Sequence, residues 1–215
     1  TTRDIVLLFS TRITRLFAYG LISVVLGLYL ASTGLSVSGV GAILTATLAG
    51  DILVSLWVTL VADRVGRKNM LLLGAALMIL SGLVFLFTTD PVWITLAAII
   101  GIVSPSGGEI GPFLSIEQAA LSQLIPDHRR TRLFGWYNLA GCFATAAGAL
   151  AGGWLAQLLQ GLGWSELEAY RSIMASYAAC GLVLIVLFAT LSRRAEVVPV
   201  AGTSAGVARK AIGLH

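Results

Sequence analysis

Apolar residues run along this chain in six long blocks, and polar residues collect in short clusters between them. A membrane-spanning helix needs about 20 mostly apolar residues, and the blocks at 5–31, 38–62, 69–88, 91–124, 131–159 and 166–191 all reach that length. The pattern predicts an all-α membrane protein with six transmembrane helices. The first block is too long for a signal-peptide core and lacks a cleavage site, so it belongs to the fold. One bundle is expected over 1–191, followed by a cytoplasmic connection over 192–215.

Local signals set the ends of the blocks. Asp90 before Pro91 reads as an N-cap with a first-turn proline, and Ser165 with Glu168 as a capping box. Gly34, Gly161 and Gly163 are natural helix stops. Composition leaves no room for a soluble reading: 57% of residues are apolar and 11% charged, against about a quarter charged in soluble domains.

The basic residues are distributed unevenly. Arg3, Arg12 and Arg15 open the first span, Arg64, Arg67 and Lys68 separate the second and third, and Arg129, Arg130 and Arg132 separate the fourth and fifth. Arg193, Arg194, Arg209 and Lys210 follow the sixth. If all six blocks cross, these groups share one side and only Arg171 falls opposite, beside Glu166 and Glu168. The positive-inside rule then puts both ends of the chain in the cytoplasm, and a prokaryotic cytoplasmic membrane is expected. Tyr29, Trp93, Trp154, Trp164 and Tyr170 lie at outer ends, and Trp136 and Tyr137 near an inner end, as interfacial anchors do. Trp57 reads instead as a packing residue between helices.

The net charge of +4 comes from the inner loops and suits anionic lipid headgroups, so nucleic acid is not needed to explain it. Cys142 and Cys180 fall inside spans, where small apolar packing is their expected role. The histidines, His128 and His215, lie in a loop and a tail. No metal site and no organic cofactor is expected. An intramembrane protease would need a buried Ser with His, or paired aspartates, and the sequence offers neither.

The string Asp63-Arg64-Val65-Gly66-Arg67-Lys68, placed after the second of six spans, resembles the loop signature of the major facilitator superfamily of secondary transporters. Thr59 stands where that signature usually begins with Gly. Arg130-Thr131-Arg132-Leu133-Phe134-Gly135 is similar to the family's Arg-rich entry into helix five. Gly148, Gly152 and Gly153 match glycine spacings of its helix-five antiporter motif, with Ala144 and Ala149 replacing the first Gly and the Pro. That motif implies exchange and efflux. The other reading is close packing, because small residues at steps of four let helices approach in lipid. Gly107 matches a helix-four glycine, whereas Val103 stands in place of the family's arginine.

The resemblance implies one half of a twelve-helix transporter, built from two inverted three-helix repeats, with a carboxyl-terminal six-helix half as partner alongside membrane lipids and a small-molecule substrate. The tail over 195–215 reads as an inner connection and the chain as a fragment. In the family, Asp63, Arg64, Gly66, Arg67 and Lys68 act as a conformational latch, with Asp63 meeting a helix N-terminus of the other bundle.

Charge inside hydrocarbon is costly and marks function. Asp51 lies about 18 Å along its helix from Asp63, with Ser55 and Thr59 following on its face. Glu109 occurs in Ser104-Pro105-Ser106-Gly107-Gly108-Glu109-Ile110-Gly111-Pro112, a run that breaks helices and implies a cavity wall. Glu117 lies two turns further along. Arg12 and Arg15 enter from helix one, and Glu117 or Glu109 is their expected partner; snorkelling to the headgroups is the alternative. These five residues form the expected substrate or proton cavity, and Gly107, Gly111, Gly148, Gly152 and Gly153 the expected packing positions. Transport by alternating access on an ion gradient, most simply protons, is the expected function. A membrane sensor or scaffold with the same fold is the alternative.

Overall fold

The structure, a computed structural model, describes residues 2–101, 103–105, 107 and 112–191. Its helices are α1 (Thr2–Ser32), α2 (Val37–Val65), α3 (Arg67–Phe87), α4 (Pro91–Ile100), α5 (Pro112–Leu124), α6 (Asp127–Gly161) and α7 (Glu166–Ala189). Helices α1, α2, α3, α6 and α7 are each long and apolar enough to cross a membrane. In lipid every backbone N–H and C=O needs an internal partner, which a helix supplies along its whole length.

The fourth block differs from its prediction as one continuous span. It is divided between α4 and α5. A Cβ on Gly101 would collide with Ser81 of α3, and one on Gly74 of α3 would collide with the ring of Phe113. Seven residues of α3 separate those two contacts, or about 10 Å along its axis. The two helices therefore lie at successive depths and complete the fourth crossing together. A single helix over the whole block would be about 50 Å long, well beyond the roughly 30 Å of hydrocarbon.

The helix ends follow the sequence closely. Asp90 accepts a hydrogen bond from Val92 N–H at 2.8 Å, with Pro91 in the first turn. Ser165 and Glu168 form the reciprocal capping box. Gly66 is the sole residue between α2 and α3, at φ 98° and ψ 135°, a conformation open essentially only to glycine. Its place in the charged string is thus fixed by the hairpin.

Helix α1 runs through the centre, against α6 on one side and α7 on the other, while α3 packs on α7 and α4 fits against α2 and α3. Buried Leu16, Tyr19, Ile22, Leu26 and Tyr29 line α1. Near the α1–α2 end, the Tyr29 hydroxyl lies 2.8 Å from the Phe85 carbonyl and 3.1 Å from that of Thr88, tying α1 to the end of α3. Exposed apolar residues concentrate on α2 (Ile52, Leu53, Leu56, Leu60) and α6 (Phe143, Leu150, Trp154), as a surface meeting acyl chains or another helix bundle allows. Trp57 is 55% exposed, so it does not pack between these helices as expected. Cys142 is also exposed, and Cys180 is half-buried.

Contact between α1 and α6 depends on missing side chains. A Cβ on Gly20 would strike the backbone of Thr145 and Ala149, and one on Gly148 would strike the backbone of Phe17 and Leu21. At Gly152 it would come 2.7 Å from the Leu21 carbonyl oxygen. Gly153, expected on the neighbouring ridge with Gly141, Thr145 and Ala149, has nothing within 4 Å of its would-be Cβ. A ridge at steps of four drifts around the helix, so position 153 has turned away from α1. Gly107, at φ 65°, sits between Ser23 of α1 and Thr145 of α6, and Gly111 lies outside the described residues.

Candidate functional site

Three of the five expected cavity residues meet at one point. Thr11 and Arg15 are four residues apart and share a face of α1, which carries them to Glu117 on α5. Arg15 Nη1 lies 2.8 Å from Glu117 Oε1 and Nη2 lies 2.9 Å from Oε2, a two-pronged ion pair. The Thr11 hydroxyl is 2.9 Å from Oε1, and the Tyr137 hydroxyl of α6 donates to Oε2 at 2.6 Å. Each carboxylate oxygen thus has two partners. Arg15, Glu117 and Tyr137 are each 0% exposed, so Arg15 is paired inside the bundle and does not snorkel to the headgroups.

Aromatic rings complete the shell. The Arg15 guanidinium lies 4.6 Å from the centre of the Phe113 ring, and that of Arg12 lies 4.1 Å from the Tyr137 ring. Such cation–π contacts reach about 2 kcal/mol when desolvated. Phe113 stacks on Phe188 of α7, and Phe9 meets Tyr137 edge-on. Arg12 also donates to the Asn138 side-chain oxygen at 3.1 Å. A Cβ at Gly141 would come 2.7 Å from Arg12 Nε, so this glycine makes room for the guanidinium as Gly74 does for Phe113. One cluster therefore joins α1, α5, α6 and α7.

A buried pair with every acceptor filled holds helices in register, and stripping one partner leaves an uncompensated charge. Asp51 is placed differently. It lies on α2, 1% exposed, and neither carboxylate oxygen has a hydrogen-bond partner. Glu109 lies outside the described residues, as does most of the expected cavity wall around it. The grooves found among the described residues are lateral and apolar; one of about 230 Å³ lies between α3 and α4, lined by Leu77, Leu80, Val84, Trp93 and Leu96.

Of the charged loop, the side chains of Asp63, Arg64 and Arg67 lie outside the described residues. Lys68 Nζ donates to the carbonyls of Ala189, at 2.7 Å, and Leu191, at 3.0 Å, capping the end of α7 as a cation near a helix C-terminus can. Arg130 likewise donates to the Ser122 carbonyl at 2.8 Å, closing the last turn of α5. No cluster of three potential metal ligands occurs among the described residues. Reading the sequence missed Thr11, Tyr137, Asn138 and Phe113. The four-residue step from Thr11 to Arg15 was the available signal.

Crossing helices clasped by an internal ion pair define a multi-pass integral membrane protein. The chain belongs to the Major Facilitator Superfamily, whose family model matches residues 8–213. It is 36% identical over 197 residues to an uncharacterized membrane protein of Saccharomyces cerevisiae, covering 91% of this chain and 44% of that protein. It is 33% identical over 136 residues to the transcription regulatory protein OpdE of Pseudomonas aeruginosa, covering 63% of this chain and 29% of that protein.

The fold is similar to the proton:xylose symporter XylE bound to 6-bromo-6-deoxy-D-glucose, with TM-score 0.68, 19% identity, and 88% of this chain and 44% of that one covered. A double-Trp variant of XylE gives TM-score 0.67 at 20% identity, covering 97% and 49%. The chain spans less than half the length of these relatives. They include both a yeast and a bacterial protein, which gives the expected prokaryotic origin no support.

Proposed function

We propose that this chain forms one six-helix half of a secondary transporter, which carries a small solute by alternating access against a carboxyl-terminal half. Membership of the superfamily over 8–213 carries the reading, and the overlap with a proton:xylose symporter supports protons as the coupling ion. In the membrane, the α2–α3 end faces the cytoplasm, where the basic loops collect. Residues 192–215 form the connection between halves, and Asp63, Arg64 and Arg67 form the latch that closes against the second half. Lys68 ties that loop to the end of α7, next to the connection. Efflux is the direction that fits the glycine spacing of α6.

The test is flux through the full-length protein in proteoliposomes, with a solute chosen by thermal-shift screening. Accumulation is expected under an imposed pH gradient and is lost when a protonophore collapses it, while solute exchange continues. The name of the OpdE relative favours a second reading, a regulatory membrane protein on this fold. Absence of flux for every solute that stabilises the protein would favour that reading.

A further inference from the structure

We infer that Asp51, buried at the middle of α2, binds the coupled proton. The inference rests on the proton-coupled reading above and names the acid that carries the proton.

The two carboxyls are both buried but differently served. Glu117 has four donors on its two oxygens and a guanidinium opposite. Asp51 has no hydrogen bond to either oxygen, although its residue is 1% exposed. An ionised carboxylate left alone in a membrane interior is strongly disfavoured, so the group in this state is the neutral acid. Its depth agrees: Asp51 is the central residue of α2 (Val37–Val65).

Among the described residues the surroundings are hydroxyl-bearing and uncharged. Tyr177 of α7 lies within electrostatic range of both Asp51 and Tyr19 of α1, beside Ser81 of α3 and with Cys180 one turn away. Tyr19 and Tyr177 are themselves buried, at 1% and 0% exposure. Helix α4 carries no titratable residue, and Glu117 of α5 is held by its own partners. Among the described residues no Lys, Arg or His acts on the Asp51 carboxyl. Tyr19 stands one turn along α1 from Arg15, so the two sites share a helix.

The chemistry is a single proton exchange. When water reaches the group, the acid O–H bond breaks, the proton passes to water and a carboxylate remains. Protonation from the other side restores the neutral acid and permits burial again. No other reactant is required.

Infrared difference spectroscopy on the full-length protein between acid and alkaline buffer uses the proton itself as probe. The wild type is expected to show the carbonyl stretch of a protonated carboxylic acid that shifts in deuterium oxide and disappears at alkaline pH. Asp51→Asn, an uncharged near-isostere, is expected to lose that band, and Asp51→Glu to move it while keeping its titration. In proteoliposomes Asp51→Asn is expected to lose gradient-driven accumulation. Persistence of the band in Asp51→Asn, or a wild-type band indifferent to pH, would overturn the assignment. No solute enters the spectroscopy, so the two readings fail separately. Absent flux with a titrating Asp51 band counts against transport, whereas proton-driven flux surviving Asp51→Asn counts against this site.

Discussion

Glu117→Ala is expected to destabilise the full-length protein by about 3–5 kcal/mol, the range for removing one partner of a buried ion pair. The substitution leaves the Arg15 guanidinium in a 0% exposed position and takes away the acceptor of Thr11 and Tyr137. The loss comes mainly from the stranded charge. A double substitution, Arg15→Met with Glu117→Leu, is therefore expected to recover most of it, because apolar replacements of a buried pair are often neutral or better. Unfolding in detergent, followed for the two single variants and the double, gives the coupling directly. Additive losses would show that the pair is not a unit.

Gly148→Leu is expected to cost about 1–3 kcal/mol or more, the usual range for overpacking. Its side chain would have to occupy the Phe17 and Leu21 backbone of α1, and backbone cannot swing aside as a flexible side chain can. The same change at Gly153 is expected to be nearly neutral, since nothing lies within 4 Å there. Both glycines belong to α6, so helix propensity is matched between them. Unfolding midpoints of the two variants make the comparison. Equal losses would contradict the close approach of α1 and α6.

Much of this was legible from the chain. Crossings and caps follow from local rules: long apolar blocks must become helices in lipid, and Asp90, Ser165 and Glu168 serve orphan N–H groups wherever they stand at a helix start. The pairing of Arg15 with Glu117 was within reach, because a charge inside a bundle needs a partner. What could not be read is rotation. In helices apolar on every side, no stripe shows which face meets a neighbour, so Trp57 was assigned to packing while it lies exposed. Gly153 failed for the same reason as Gly148 succeeded, its angle to α1. Tyr137 read as an interfacial anchor because sequence supplies its depth but not its direction. The division of the fourth crossing had a length signal and two prolines, yet its limits at Ile100 and Pro112 depend on the contacts with α3.

On the proposed reading these helices move as one body against a second half. Spin-label distances in the full-length protein check this, with one pair at exposed Trp154 and Leu53 within this unit and a second pair from Trp154 to the facing half. Between acid and alkaline buffer the first distance is expected to stay fixed and the second to change between two populations. A first distance that changes as much as the second would contradict a rigid six-helix half clasped by Arg15 and Glu117.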